Sequence, residues 1–198
     1  MIGSMTPHRP TLIADAAIAL IAERGLRGLT HRAVDEEAGL PAGSTSNLAR
    51  TRAALLDLAL ARIVERETEG SPVMADALPD GAEARELLVH GGADLLHRAL
   101  TVGRTLTLAR LELALEATRR PELRAGYDRL GARFTDLATA LLARCGSADA
   151  PGDARRLIRW CDGVLFNSTA GSGHDRVPTP EELRGETARY LAALLDHD

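Results

Sequence analysis

Nowhere in this chain does a run of β-branched residues reach the length of a strand, while Ala and Leu recur at three- and four-residue spacing from end to end. That pattern commits it to helix. Ala and the straight-chain residues cost least there, and apolar faces of period 3.6 need helical neighbours to bury them. Hydrophobic residues make up 45% of the sequence and aromatics only 3%, so the core must be assembled from Leu, Ala, Val and Ile. A chain of 198 residues has room for one ordinary domain and a small one. No stretch approaches about 18 uninterrupted apolar residues and no signal-peptide core opens the chain, so the expectation is a cytoplasmic protein with no membrane partner. The opening MIGSMTP reads as a vector scar at Gly3-Ser4 ahead of a natural start at Met5, and is set aside.

Glycine and proline mark where the helices break. Ile13, Ala16, Ala17, Leu20 and Ile21 share one face of a first helix, about Thr11 to Arg24, which Gly25 stops. Thr30 is placed as the N-cap of a second, His31 to Ala38, with Leu29 and Val34 as its hydrophobic staple and Gly39 closing it. Pro41 suits the first turn of a short third helix, residues 41–48. Thr51 caps a long fourth, from Arg52 to about Glu69. GSPVMADALPDG is the one linker. Beyond it, helices are expected near 82–101, 104–119, 121–145, 153–170 and 180–196. The whole is all-α with about nine helices.

The third of these helices is too short and polar to stand alone. Three short helices in tight succession before a long one make a helix-turn-helix unit, whose third helix projects with one side supported. Leu40 and Leu48 are its expected anchors. Ala42, Gly43, Ser44, Thr45, Ser46 and Asn47 are its expected outward positions, small enough to approach base edges and phosphates. His31, Arg32 and Arg52 sit in first turns of helices, where a cation opposes the macrodipole and a bound phosphate would reverse the sign. The net charge of −4 argues against indiscriminate binding of nucleic acid. Residues 1–52 nonetheless hold six Arg against five acids, a net of +1, while the remainder holds 18 against 23, a net of −5.

RGLRGLTHRAVDEEAGLPAGSTSNLARTRAALL resembles the N-terminal module of TetR-type transcriptional regulators over roughly residues 10–60. Gly25, Gly28 and Thr30 match the family's G-x-x-G-x-T opening. Ala38-Gly39, Gly43-Ser44 and Arg52 with Leu55 and Leu56 match the segments that follow. Ser46-Asn47-Leu48-Ala49 departs from the aromatic Tyr-x-x-Phe-like stretch, and Pro41 replaces the usual capping Ser. The resemblance implies an N-terminal arm and three-helix DNA-binding domain over residues 1–52. It implies an effector-binding and dimerisation bundle over 53–198. The DNA-binding candidates are Thr30, His31, Arg32, Ala42, Gly43, Ser44, Thr45, Ser46, Asn47, Arg50 and Arg52.

It further implies a homodimer whose last two long helices form a four-helix bundle, and hence a palindromic operator in double-stranded DNA. The candidate stripes are Leu157, Ile158, Cys161, Val164 and Leu165, and Leu183, Thr187, Tyr190, Leu191 and Leu194; both also suit a monomer core. For a small apolar or amphipathic effector the candidates are Arg110, Glu112, Tyr127, Phe134, Trp160, Phe166 and Asn167, equally readable as core aromatics and solvated charges. The function implied is a ligand-responsive regulator, by expectation a repressor, in which effector binding moves the fourth helix. An orphan regulator or adaptor without a ligand is the alternative.

An enzyme is not expected. The chain has no G-x-S-x-G, G-x-G-x-x-G or G-x-x-x-x-G-K, and its AGSGHD lacks the leading Gly of a nucleophile elbow. His90 and His97 lie about 10 Å apart along one helix, too far to share a metal. His90 with Asp94, or Asp94 with His97, could ligate but lack further ligands, and Cys145 and Cys161 match no metal or redox spacing and read as free thiols; no cofactor or metal is expected.

Overall fold

The computed structural model describes residues 8–69 and 78–195. Residues 1–7, with the scar reading of MIGSMTP, and residues 70–77, most of the expected linker, lie outside the described residues. Among the described residues there are nine helices and no strand. They are α1 Arg9–Gly28, α2 His31–Glu37, α3 Ser44–Leu48 and α4 Arg52–Glu69. After them comes α5, a single rod in three stretches: α-helix Gly81–Glu86, a π turn Leu87–Gly91 and α-helix Gly92–Leu100. The last four are α6 Arg104–Ala117, α7 Pro121–Arg144, α8 Ala150–Thr169 and α9 Pro180–Leu195. No helix among the described residues is long and apolar enough to cross a membrane.

The chain divides into two compact units, residues 1–71 with 108–127, and residues 72–107 with 128–198; the division falls within α6 and α7. In the first unit α1 packs on α2 and α4, and α2 on α3. Ile13, Leu20 and Ile21 of α1, with Leu55, Leu56 and Ile63 of α4, are each at most 1% exposed. Burial of such side chains stabilises the unit by about 1.5–3 kcal/mol apiece. The expected stop at Gly25 is present as a break inside α1, where φ is 63° and ψ −178°, and one more turn follows to Gly28. That conformation belongs almost wholly to glycine. Thr30 accepts from the Ala33 N–H at 3.1 Å and Thr51 from the Ala54 N–H at 3.1 Å, so both caps act where the sequence places them.

In the second unit α5 packs on α8 and α9. One cluster joins Leu88 to Leu141, Leu142, Leu157 and Leu191, and another joins Leu96 and Leu100 to Leu165 and Leu183. α8 starts at Ala150, before the expected residue 153, because Asp149 caps it by accepting from the Gly152 N–H at 3.1 Å. α9 opens on a reciprocal capping box: the Thr179 N–H donates to Glu182 at 2.8 Å, and the Glu182 N–H to Thr179 Oγ1 at 3.2 Å. The stripes set out as dimer candidates are largely used here. Leu157, Leu165, Leu183, Thr187 and Leu191 are buried, and Ile158, Cys161, Val164, Tyr190 and Leu194 are half-buried, all but Thr187 in or against these clusters.

Candidate nucleic-acid interface

The turn between α2 and α3 differs from the sequence expectation in its start. α3 covers only Ser44–Leu48, and Pro41 lies before it in a turn with Ala42 and Gly43. Gly43 stands at φ 89° in the left-handed region, which ends any helical run from Pro41 and puts a residue with no side chain at the N-cap. The N–H groups at the start of α3 therefore need an acceptor from elsewhere.

Asp35, on α2, supplies it. One carboxylate oxygen accepts from the Gly43 N–H at 2.7 Å; the other accepts from the Thr45 N–H at 2.7 Å and the Thr45 hydroxyl at 2.6 Å. The Asp35 side chain is buried, 4% exposed. Burial alone would push its carboxyl upward. The Thr45 hydroxyl, the N–H groups of Thr45 and Gly43, and the nearby His31 together outweigh that and hold it below the ordinary range. Asp35 was not among the sequence candidates. The signal that identifies it is the missing cap: an acid beside buried Val34, one turn before Gly39, facing a helix whose own N-cap is glycine.

This arrangement corrects the outward placement of Ser44 and Thr45. Both are buried, Thr45 completely, since a hydroxyl that donates to a carboxylate can be enclosed at little cost. Leu48, expected as an anchor, is 45% exposed. The helix ends there, and Ala49, at φ −124°, turns inward and is buried instead. Ala42, Gly43, Ser46, Asn47 and Arg50 are exposed and Leu40 is half-buried.

The cations also divide. His31 is half-buried, and its Nε2–H donates to the Ala49 carbonyl at 2.6 Å, tying the start of α2 to the end of α3. Arg52 donates to the Leu29 carbonyl at 2.7 Å and to the Leu26 carbonyl. The charge that looked unfavourable at the head of α4 thus serves the carbonyl end of α1, where a cation is stabilising. This clamp gives Arg52 a structural role that the sequence reading did not include. Arg32 is 88% exposed on its side chain and pairs with Glu36 at 2.8 Å. Thr30 remains exposed while capping α2.

The effector candidates fall in both units. In the first, Arg110 lies 3.8 Å from Glu67, both largely covered, and Glu112 is half-buried with its carboxylate near Gly25. Tyr127, also in that unit, has the Arg124 guanidinium 5.2 Å from its ring centre. In the second unit Phe134 is half-buried, and Trp160 stacks on Tyr190 with ring centres 5.3 Å apart. A depression of about 370 Å³ there is lined by Trp160, Glu186, Arg189, Tyr190 and Ala193. Phe166 and Asn167 do not line it. Phe166 is 53% exposed on α8, and Asn167 is exposed and packed against the backbone of Gly171 and Gly173 in the following loop. Among the described residues no three His, Cys, Asp or Glu side chains are grouped to hold a metal.

A buried staple under a short helix, with Ser46, Asn47 and Leu48 left outside, defines a helix-turn-helix protein. A family model for the tetracyclin repressor-like C-terminal domain matches residues 83–197. A TetR-family member from Streptomyces coelicolor A3 is 32% identical and superposes with a TM-score of 0.68 over 93% of this chain and 98% of its own. The multidrug binding protein EbrR, solved with proflavin, is 30% identical over 92% of this chain and 99% of its own, with a TM-score of 0.56. A transcriptional regulator from Rhodococcus sp. Rha1 shares the fold at a TM-score of 0.75 and 20% identity, over 94% of this chain and 95% of its own. No curated protein matches the chain. The chain belongs to the TetR family of transcriptional regulators.

Proposed function

We propose that this regulator binds a palindromic operator in double-stranded DNA as a homodimer and represses transcription until a small apolar or amphipathic effector releases it. Residues 1–52 act as arm and reading module, and 53–198 as the effector-binding and dimerisation part. The observation that carries the reading is α3: fixed from behind by Asp35 and His31, it leaves Ser46, Asn47 and Leu48 in solvent. Arg32 and Arg50 flank them and suit phosphate; Ala42 and Gly43 allow close approach of backbone to the duplex.

For the dimer, the support is the outer face of α8. Arg159, Asp162, Gly163, Phe166 and Ala170 recur there at helical spacing and are exposed, and the space over Gly163 is open. A second copy packed on that face would bury Phe166 at the two-fold axis. For the effector, support comes from EbrR, a relative that binds proflavin, and from Trp160 beside an open depression. Arg110, Glu112, Tyr127 and Phe134 are retained as further candidates for effector contact. Phe166, also an effector candidate, is proposed for the seam, and Asn167 stays an effector candidate beside the loop that follows α8.

The test is a mobility shift with DNA from beside the gene, at several salt concentrations and with competitor DNA. A specific complex persists with competitor and weakens steeply with salt as phosphates are neutralised. Binding that competitor removes entirely at every salt concentration would sink the operator reading.

A further inference from the structure

We propose that the exposed face of α3 reads A·T base pairs, with Asn47 bonded to an adenine and Leu48 and Ala42 packed on thymine methyl groups. The inference rests on the operator-binding reading and names the bases that this site takes.

Each base presents a different edge in the major groove. Guanine is most often read by Arg or Lys donating to O6 and N7, and cytosine by Asp or Glu accepting from its amino group. Residues 39–49, GLPAGSTSNLA, contain no ionisable side chain at all, so α3 and the turn before it offer neither partner. Exposed cations lie outside this segment: Arg32 is on α2, paired with Glu36, and Arg50 follows the buried Ala49.

What α3 does expose fits the other pair. The amide of Asn47 accepts with its oxygen and donates with its nitrogen, the complement of adenine N6–H and N7. Asn47 is exposed, and among the described residues its amide has no hydrogen bond; only its backbone N–H is engaged, to the Gly43 carbonyl at 3.0 Å. Thymine alone carries an apolar group in the major groove. Leu48, 45% exposed, is the one large apolar side chain outside on α3, and Ala42 is exposed in the turn before it. Ser46 donates or accepts and leaves the choice to its neighbours.

The full-length protein is used to select duplexes from a random-sequence pool in the presence of competitor DNA. The recovered half-site is then resynthesised with single changes. The expected half-site contains an A·T pair whose replacement by G·C weakens the wild type roughly 5- to 150-fold. 7-Deazaadenine at that position causes part of the same loss. Asn47→Ala is weakened little further by either change. Uracil for one thymine costs the wild type about 4-fold, the effect of one buried methyl-sized group, and Leu48→Ala erases that difference. Both residues are exposed, so the variants keep their fold. Recovery of half-sites in which the Asn47-dependent positions are G or C overturns the proposal, as does an adenine penalty of equal size in wild type and Asn47→Ala. Failure to recover any competitor-resistant duplex counts against the operator reading instead.

Discussion

Replacing Asp35 with Ala takes the acceptor away from three donors at the start of α3. Two of them, the Thr45 N–H and hydroxyl, belong to a residue with no solvent exposure. A buried donor left without a partner costs about 1–3 kcal/mol, and the Thr45 hydroxyl can rotate to a backbone carbonyl and recover part of that. The Gly43 N–H is on an exposed residue and is re-solvated. The net expectation for Asp35→Ala is a loss of about 2–4 kcal/mol. At about 2–4 °C per kcal/mol for a chain of this size, that is a fall in Tm of roughly 4–16 °C. Asp35→Asn keeps one oxygen but turns an amide N–H toward a donor, and should lose about 1–2 kcal/mol.

The sign with pH is fixed by the lowered carboxyl. The stabilisation is complete above the ordinary carboxylate value of about 3.9 and fades as pH falls through the lower folded value. The assay is thermal melting from neutral to acid pH, with amide hydrogen exchange at Gly43 and Thr45. Wild type loses more stability on acidification than Asp35→Ala, and the Thr45 amide exchanges faster in the variant. A variant that melts within a degree of wild type, with its Thr45 amide still protected, refutes the staple.

Arg52→Ala should lower Tm by the equivalent of about 1–3 kcal/mol, since the Leu29 carbonyl loses its charged donor while the Leu26 carbonyl keeps only the Leu29 N–H; Arg52→Lys should restore only part. An unchanged melt with a uniform loss of affinity across DNA sequences would return Arg52 to the phosphate role. Gly25→Ala, at φ 63° and ψ −178°, should cost about 1–3 kcal/mol in a denaturant titration. An unshifted midpoint would show that α1 tolerates a side chain at its break. Phe166→Arg on the outer face of α8 should give a monomer in sedimentation with an unchanged melt of the single chain, and a dimer that survives it places the seam elsewhere. The single tryptophan, Trp160, is stacked on Tyr190, so effector binding in the nearby depression should change its emission. An effector that releases DNA without changing that emission binds elsewhere.

The helices were legible because helical periodicity and stop signals are local. Gly25, Thr30, Gly39 and Thr51 each act within one turn of themselves, and each helix boundary near them was placed to within a few residues. What escaped the sequence depends on distant partners. Asp35 lies ten positions from Thr45, His31 eighteen from Ala49, and Arg52 twenty-six from Leu26, and none of these pairs has a periodic signature. Thr45 escapes the sequence for the same reason. A threonine in a polar run reads as outward until a carboxylate is known to stand behind it. Leu48 reads as an anchor because it is apolar, but the helix ends at that residue and the smaller Ala49 takes the buried position.

These three long-range pairs also explain how the reading unit can dispense with the aromatic stretch from which Ser46-Asn47-Leu48-Ala49 departs. An aromatic anchor would hold α3 by buried area. Here Ala49 buries little, and α3 has only five residues, too few to form unaided. Polar contacts fix its two ends: Asp35 holds the start through Gly43 and Thr45, and His31 holds the exit through the Ala49 carbonyl. Arg52 then fixes the head of α4 to the end of α1. Hydrogen bonds are directional where apolar packing is not, so these contacts specify the orientation of α3 as well as its presence. The outer side of α3 is left uncharged, with Ser46, Asn47 and Leu48 exposed. The contacts that position α3 come from α2 and from Ala49, and none of them uses the side chain of Ser46, Asn47 or Leu48, the face proposed to meet DNA.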